Sequence, residues 1–172
     1  MPHLTYEFYH RPCDVVAREL VGKILVRRTS QGDIRLRISE TEVYWGENDT
    51  ACHASKGRTK RSEVLYAEAG TIYVYLCYGI HWLMNIVTGD ENDPQAVLLR
   101  ACVDAPGPGR LTKHLGITGE YNRKSILTEP DLWIEDDGKH FSIIPDKRVG
   151  IGYASREDQD RLWRYKIGNL LD

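Results

Sequence analysis

The chain has 172 residues, 41% of them hydrophobic, which suits one compact domain with its own core and leaves little room for two. Its net charge of −2 excludes a uniformly basic protein, and no apolar run approaches the roughly 20 residues that a transmembrane helix needs, so we expect no membrane association. Four cysteines without a C-x-x-C pair, in a chain that shows no secretory leader, favour a reducing intracellular compartment.

The first third of the chain reads as a helix and two strands, without a linker or a repeat. We expect a helix over 12–20, with a proline near its first turn, and then a hairpin formed by strands 23–29 and 33–44. The polar segment 45–61 is too irregular for a regular element. Because a loop of this length in a small domain is usually functional, this segment is a candidate part of a site.

The rest of the chain continues the alternation of short helices and strands. The expected elements are a short helix capped by Thr59 or Ser62, strands 70–77 and 81–88 joined by a turn at 78–80, a strand over 95–103, a helix over 110–115, a hairpin over 133–144 and a last helix capped by Ser155. Gly79 can supply the positive φ of a tight turn, which places Tyr78 at a hairpin tip. Together these elements predict a single α+β domain over 1–172, with a curved, mostly antiparallel sheet and short flanking helices.

In the second expected strand, acidic side chains fall on the face that apolar residues should occupy. Counting by two from Ile34 puts Glu40 and Glu42 on the expected core face. Burial in a partly apolar cleft raises the pKa of a carboxyl group, which can then accept a proton near neutral pH. Glu42 is therefore either an edge residue or a functional group.

Basic and aromatic residues in the middle of the chain favour contact with a nucleic acid. Tyr44, His53 and Tyr75 offer flat rings of the kind that stack an unpaired base, as does Tyr78 at its turn. The neighbouring basic run could hold phosphate groups, and it consists of Lys56, Arg58, Lys60 and Arg61. Taken alone, a short basic run is more often a solvated loop, and a strand tyrosine such as Tyr73 is more often a core residue.

Several stretches of the sequence, in the same order along nearly the whole chain, resemble one enzyme family. They are E-T-E-V-Y-W-G, H-A-S-K-G-R-T-K-R, G-T-I-Y-V-Y-L-C-Y-G-I-H-W-L-M-N, A-V-L-L-R-A and G-P-G-R-L. The family that they resemble is that of the alkyladenine DNA glycosylases, also called 3-methyladenine DNA glycosylases. The resemblance implies a monofunctional enzyme, with water as nucleophile and no lyase activity, that cuts the N-glycosidic bond of damaged purines in double-stranded DNA and leaves an abasic site. The implied substrates are purines of the class of 3-methyladenine, 7-methylguanine, hypoxanthine and ethenoadenine, flipped out of the duplex.

The same resemblance implies catalytic roles for three residues. Glu42 matches the general base that takes a proton from the attacking water, and Arg100 matches an arginine that helps to hold this water. The main-chain carbonyl of Val149 is expected to be a third contact of the water. Glu40 is expected to have a structural or indirect part.

Other matching positions are implied to bind the base and the duplex. Tyr44, His53 and Tyr75 match the aromatic walls of the base pocket, with the backbone N–H of His53 as a donor to the purine. Asn85 matches a side chain that crowds the exocyclic amine of guanine and so disfavours this normal base. Tyr78 matches the tyrosine that wedges into the minor groove, and the four residues of the basic run match phosphate contacts.

The resemblance implies no cofactor, and scattered histidines without H-E-x-x-H or paired cysteines predict no metal site. We expect a monomer, in the cytoplasm with the nucleoid if the source is bacterial and in the nucleus if it is eukaryotic. Two other classes stay open, a noncatalytic nucleic-acid-binding module of related fold and a hydrolase of small nucleosides. Glu42 and Arg100 argue against the first class, and Tyr78 with the basic run argues against the second.

Overall fold

A computed structural model describes residues 1–172 as one α+β fold, in which an antiparallel sheet curls into a half-barrel. Its strands are β1 (Ile24–Thr29), β2 (Gly32–Tyr44), β3 (Ile72–Cys77), β4 (His81–Val87), β5 (Ala96–Cys102), β6 (Leu132–Glu135), β7 (His140–Asp146) and β8 (Arg164–Leu171). The path through the sheet is β3-β4-β5-β2-β1-β6, and β8 pairs with both β2 and β7. This confirms the predicted fold class and the curved antiparallel sheet.

The helices are short and lie around the sheet. They are α1 (Tyr6–Tyr9), α2 (Cys13–Leu20), α3 (Pro108–Leu115), α4 (Arg156–Asp160) and three 3-10 turns at His53–Lys56, Ser62–Tyr66 and Gly119–Tyr121. No helix is both long and apolar enough to cross a membrane. The predicted cap at Ser155 is confirmed, because its hydroxyl accepts a hydrogen bond from the amide of Asp158. Thr59 supports the turn at Ser62–Tyr66, since its hydroxyl accepts from the Ser62 amide.

Helix α2 packs its apolar face against the sheet and closes the main core. Val16 and Leu20 are four residues apart, so they share this face, and both are fully buried. The hydroxyl of Thr41 in β2 donates to the carbonyl of Ala17 at 2.8 Å, which ties the helix to the strand that leads to Glu42.

A register irregularity in β2 corrects the expected position of Glu42. At Glu40 the pairing between β2 and β5 shifts by one residue and then returns. Leu36 and Ile38 before this point and Val43 after it pack into the same core, so the alternation of faces changes parity there. Counting by two therefore gave the wrong face, and Glu42 lies on the side of the sheet away from this core.

The hairpin expected over 133–144 is wrong. Strand β6 pairs with β1, whereas β7 pairs with β8. The acidic turn between them is anchored elsewhere instead, because Asp136 lies 3.3 Å from Lys23, just before β1, and Asp137 accepts from Arg37 of β2 at 2.6 Å. The sequence pattern also missed β8, which pairs with β2 at the stretch from Glu40 to Glu42.

Candidate active site

A cleft of about 900 Å³ opens where strands β2 to β5 meet the 45–61 segment, the start of α3 and the loop after β7. It brings together most of the residues that the sequence singled out. Its lining includes Tyr44, His53, Lys56, Arg61, Tyr75, Tyr78, Arg100 and Val149. Residues from positions 44 to 149 thus converge on one concavity, as a binding site requires.

Glu42 lies directly beneath this lining and is fully buried. Its Oε1 accepts a hydrogen bond from the Tyr44 hydroxyl at 2.8 Å, and its Oε2 accepts one from the Val149 amide at 2.8 Å. Arg100 places its Nε 3.8 Å from Oε2. The predicted water contact of Val149 was its carbonyl, whereas the contact present here is from its N–H to the carboxylate.

The environment of Glu42 favours a carboxyl group that holds its proton more tightly than a solvated one. Burial raises the pKa of Glu42 above its ordinary value, although Arg100 and the two hydrogen bonds act in the opposite direction. A base with a raised pKa is better matched to proton transfer near neutral pH. Glu40, by contrast, is partly exposed and accepts from Arg164 at 2.7 Å, so its environment is that of a structural ion pair.

A buried ion pair supports the Glu42 site from behind. Arg148 donates to both carboxylate oxygens of Asp49, at 2.7 and 3.0 Å, and also to the carbonyl of Val43 at 2.8 Å. Its guanidinium lies 5.1 Å from the Tyr44 ring and 5.0 Å from that of Trp163. Since Arg148 precedes Val149 in the chain, this pair positions the amide that binds Glu42. Arg148 was not among the site residues that the sequence predicted, because its partner Asp49 is distant in the chain.

His53 and Tyr75 form one wall of the cleft. Their ring centroids are 4.6 Å apart in an edge-to-face arrangement, and Nδ1 of His53 lies 2.7 Å from the hydroxyl of Tyr73. Burial lowers the pKa of His53 to about 4, with Lys56 and Arg61 acting in the same direction. The imidazole is therefore neutral near pH 7 and presents an uncharged ring.

Asn85 lies deeper than these rings, at a small cavity of about 30 Å³ that adjoins the cleft. It is buried, and its Nδ2 donates to the carbonyl of Tyr73 at 3.2 Å. A cavity of this volume has room for about one water molecule, not for a base. Asn85 is thus held by the strand that carries Tyr73 and Tyr75, beneath the aromatic walls.

Tyr78 stands at the tip of the β3–β4 turn and is 89% exposed. Tyr78 and Gly79 both have positive φ, 52° and 70°, and the Ile80 amide closes the turn by donating to Cys77. Positive φ at both central residues is the pattern of type I′ hairpin turns. The turn joins β3 to β4 and presents the Tyr78 ring to solvent at the rim of the cleft.

The basic run divides between two places, although all four of its residues are exposed. Lys56 and Arg61 line the cleft, and the Arg61 guanidinium lies 4.9 Å from the Tyr75 ring. Arg58 turns away to Asn92, 3.2 Å from its Oδ1, and Lys60 is likewise outside the lining.

Comparison with known proteins agrees with this geometry. The family model described as "Methylpurine-DNA glycosylase (MPG)" matches residues 7–105 and 103–170. The chain belongs to this family. This confirms the resemblance found in the sequence, and DNA is the substrate that membership in a family of DNA glycosylases implies.

Individual relatives cover nearly the whole chain, and each of the three that follow is named "Putative 3-methyladenine DNA glycosylase". A protein of Methanocella arvoryzae is 40% identical over 96% of this chain and 92% of its own. One from Borreliella afzelii is 39% identical over 93% of both chains. One from Rickettsia felis is 37% identical over 98% of this chain and 94% of its own.

Two residues of this family member's cleft were not identified by the sequence. Tyr153 lines both the cleft and the small cavity, and Arg110, at the start of α3, lines the rim. An aromatic residue between glycine and alanine in the G-I-G-Y-A stretch was the signal for Tyr153.

No group of three or more His, Cys, Asp or Glu side chains is placed to hold a metal ion. What the cleft offers is a buried carboxylate, a nearby guanidinium and aromatic walls, a set suited to proton abstraction beside a flat ligand.

Proposed function

We propose that this chain, acting as one unit over residues 1–172, is a monofunctional DNA glycosylase. It hydrolyses the N-glycosidic bond of alkylated or deaminated purines that are flipped out of duplex DNA, and it leaves an abasic site. The observation that carries this proposal is the fully buried Glu42 beneath an aromatic cleft, with Arg100 at 3.8 Å. A carboxylate is retained in such a place at a desolvation cost, which a catalytic role explains.

In the proposed reaction, Glu42 accepts a proton from a water whose oxygen forms a bond to C1′ of the extruded nucleotide. The C1′–N bond breaks, and its electron pair leaves with the purine. Arg100 and Val149 both contact the carboxylate and both line the cleft, so a water held between them would lie between Glu42 and the sugar. The negative charge of Glu42 also stabilises the oxocarbenium-like sugar cation that develops as the bond breaks.

Water is the proposed nucleophile, and no lyase step follows. A lyase would need an amine close to C1′ to form a Schiff base. The lysine in the lining is Lys56, which is exposed at the rim, whereas the contacts of Glu42 are a hydroxyl, an amide and a guanidinium. The main-chain carbonyl of Val149 is kept as a proposed third contact of the water.

The aromatic residues supply the proposed binding of the base. Tyr44, His53 and Tyr75 would stack on the extruded purine, and a cationic alkylated base stacks better because its charge meets the ring quadrupoles. Asn85, deeper in the site, would crowd the exocyclic amine of guanine. The backbone N–H of His53 is proposed to donate to the purine edge.

The outer part of the cleft supplies the proposed contacts with the duplex. Tyr78 would insert into the minor groove and fill the space that the extruded nucleotide leaves. Lys56 and Arg61 at the rim would contact phosphates close to the lesion, with Arg58 and Lys60 further along the strand. These contacts offset the unstacking cost of a few kcal/mol that flipping a base requires.

The test is incubation with duplexes that each carry one 3-methyladenine analogue, 7-methylguanine, hypoxanthine or ethenoadenine. We expect alkali-labile abasic sites with at least one lesion and no strand break before alkali. Glu42→Gln should retain lesion binding and lose excision by about 10²- to 10⁴-fold, as expected for loss of a general base. Glu40→Gln makes the same chemical change two residues away and should keep excision.

Other results would redirect the assignment. Binding of lesion duplexes without cleavage would point to a noncatalytic module, and cleavage of free nucleosides but not of duplexes would point to a nucleoside hydrolase. Full excision by Glu42→Gln would remove Glu42 from the reaction. Loss of excision in Glu40→Gln alone would transfer the role to Glu40.

A further inference from the structure

The cleft and the small cavity share six lining residues, and four of these carry rings. Three of the rings are those of Tyr44, His53 and Tyr75. The fourth is Tyr153, which contacts the same space from the loop after β7. Because the small cavity holds only about one water molecule, a purine does not fit inside it, whereas the adjoining cleft is wide enough to take one. The four rings lie where the two spaces adjoin.

Tyr153 is 69% exposed, which is unusual for a ring placed against a pocket. Its hydroxyl donates to the carbonyl of Ala51 at 2.9 Å, which holds the ring against the segment that carries His53. A packing role alone does not require an exposed ring in this position, whereas a ring that stacks on an incoming base must have a free face.

The backbone beside Tyr153 is anchored, so the ring can adjust without disturbing Glu42. Ile151 is buried with Ala51 and Ala154, and the Ala154 amide donates to the Ile151 carbonyl. The amide of Val149, at the start of the same loop, keeps its bond to Glu42. A single hydrogen bond, from the hydroxyl to Ala51, therefore ties the Tyr153 side chain to its neighbour.

We propose that Tyr153 is a base-binding residue that forms the outer aromatic wall of the site and stacks on the extruded purine. This inference rests on the proposed function and adds a specificity determinant to it. Stacking of one base on one aromatic ring contributes about 1–3 kcal/mol to binding, which corresponds to roughly a fivefold to 150-fold change in Kd. The contribution of Tyr153 depends on the presence of a purine in the extruded nucleotide. This separates Tyr153 from residues that contact only the DNA backbone.

The experiment measures how far the contribution of Tyr153 depends on the presence of a base. All variants are made in the Glu42→Gln background, which leaves the lesion uncut. Binding is compared between a duplex with ethenoadenine and a matched duplex with tetrahydrofuran, which lacks a base. We expect Tyr153→Ala to weaken binding of the ethenoadenine duplex by about tenfold or more and to leave the tetrahydrofuran duplex unchanged. Tyr153→Phe keeps the ring and loses the bond to Ala51. It should restore most of the preference for the ethenoadenine duplex over the tetrahydrofuran duplex that Tyr153→Ala loses.

The outcomes separate this assignment from the proposed function. Equal weakening of both duplexes, or none, would overturn the role of Tyr153 in base stacking. Failure of the unmodified chain to excise any lesion would overturn the proposed function instead. As a matched comparison, Tyr78→Ser should weaken both duplexes, because a residue that enters the stack acts whether or not the flipped nucleotide has a base.

Discussion

The two ends of the cleft are built in opposite ways. At the inner end, Glu42 is fully buried and both of its oxygens have partners, Tyr44 and Val149. At the outer rim, Tyr78 is 89% exposed, and the cations beside it, Lys56 and Arg61, are exposed as well. The contrast indicates a division of work. In the proposed reaction, the general base Glu42 gains from desolvation, whereas side chains proposed to reach into a duplex have to be presented to solvent.

The supports of the two ends differ in the same sense. The inner end rests on the buried Arg148–Asp49 pair, in which both side chains are almost completely inaccessible. The outer rim rests on a short turn whose geometry is local, with positive φ at Tyr78 and Gly79. Substitutions in the inner ion pair should therefore lower the free energy of unfolding, and substitutions at the rim should weaken binding of the duplex alone.

The largest expected effect on the fold comes from Arg148→Met, which leaves the Asp49 carboxylate buried without its partner. We expect a loss of about 3–5 kcal/mol in the free energy of unfolding, the usual cost of breaking a buried pair. Chemical denaturation monitored by circular dichroism measures it. Arg156→Met is the matched control, since Arg156 also pairs with an aspartate, Asp160, but both side chains of that pair are exposed. The control should cost about 0–1 kcal/mol, and an equal loss in both variants would contradict the distinction between buried and exposed supports.

The next effect is on binding at the rim. Tyr78→Ser should leave the free energy of unfolding nearly unchanged and weaken binding to a lesion duplex by about tenfold or more, because one stacked ring contributes about 1–3 kcal/mol. Fluorescence anisotropy with a labelled duplex gives the Kd. Tyr6→Ser, an exposed tyrosine outside the cleft lining, serves as the control. Unchanged affinity in Tyr78→Ser would remove the ring from the DNA contact.

The outer rim was predictable from sequence because its geometry is local. The turn at Tyr78 and Gly79 follows from a glycine between two apolar strands, and the basic residues are adjacent in the chain. The confirmed cap at Ser155 is local in the same way. Such features depend on a few neighbouring residues and leave a clear pattern.

The inner end was only partly predictable, since it depends on distant pairings. Alternation alone gave Glu42 the wrong face, because the irregularity at Glu40 is set by pairing with β5 and not by the pattern within β2. The 133–144 hairpin failed for a similar reason, as β6 and β7 choose partners elsewhere in the sheet. Arg148 gave no signal of burial, because its partner Asp49 is 99 residues away.

The smallest effect, and one that separates the ends of the cleft, is on pH dependence. Because burial raises the pKa of Glu42, the excision rate should rise with pH through a value above that of an ordinary glutamate, about 4.3. Single-turnover excision rates measured across a pH series give this rising limb of the pH–rate profile. His53 does not account for it, since its pKa of about 4 leaves the ring neutral over the limb. Binding of a tetrahydrofuran duplex should stay flat over the limb, because guanidinium groups such as that of Arg61 keep their charge.

The same raised pKa has a consequence for stability whose sign can be checked independently of DNA. The folded state holds the Glu42 proton more tightly than the unfolded state, so the contribution of this group to stability is fully present below the ordinary glutamate pKa and is lost as pH rises through the folded value. Glu42→Gln, which carries no charge, should therefore be more stable than the unmodified chain at neutral pH, with the difference shrinking in acid. Thermal unfolding of both proteins over a pH series measures the gap. A gap that grows toward acid pH would mean that the Glu42 carboxylate is stabilised, not destabilised, by its burial, and would remove the physical basis for its action as a base near neutral pH.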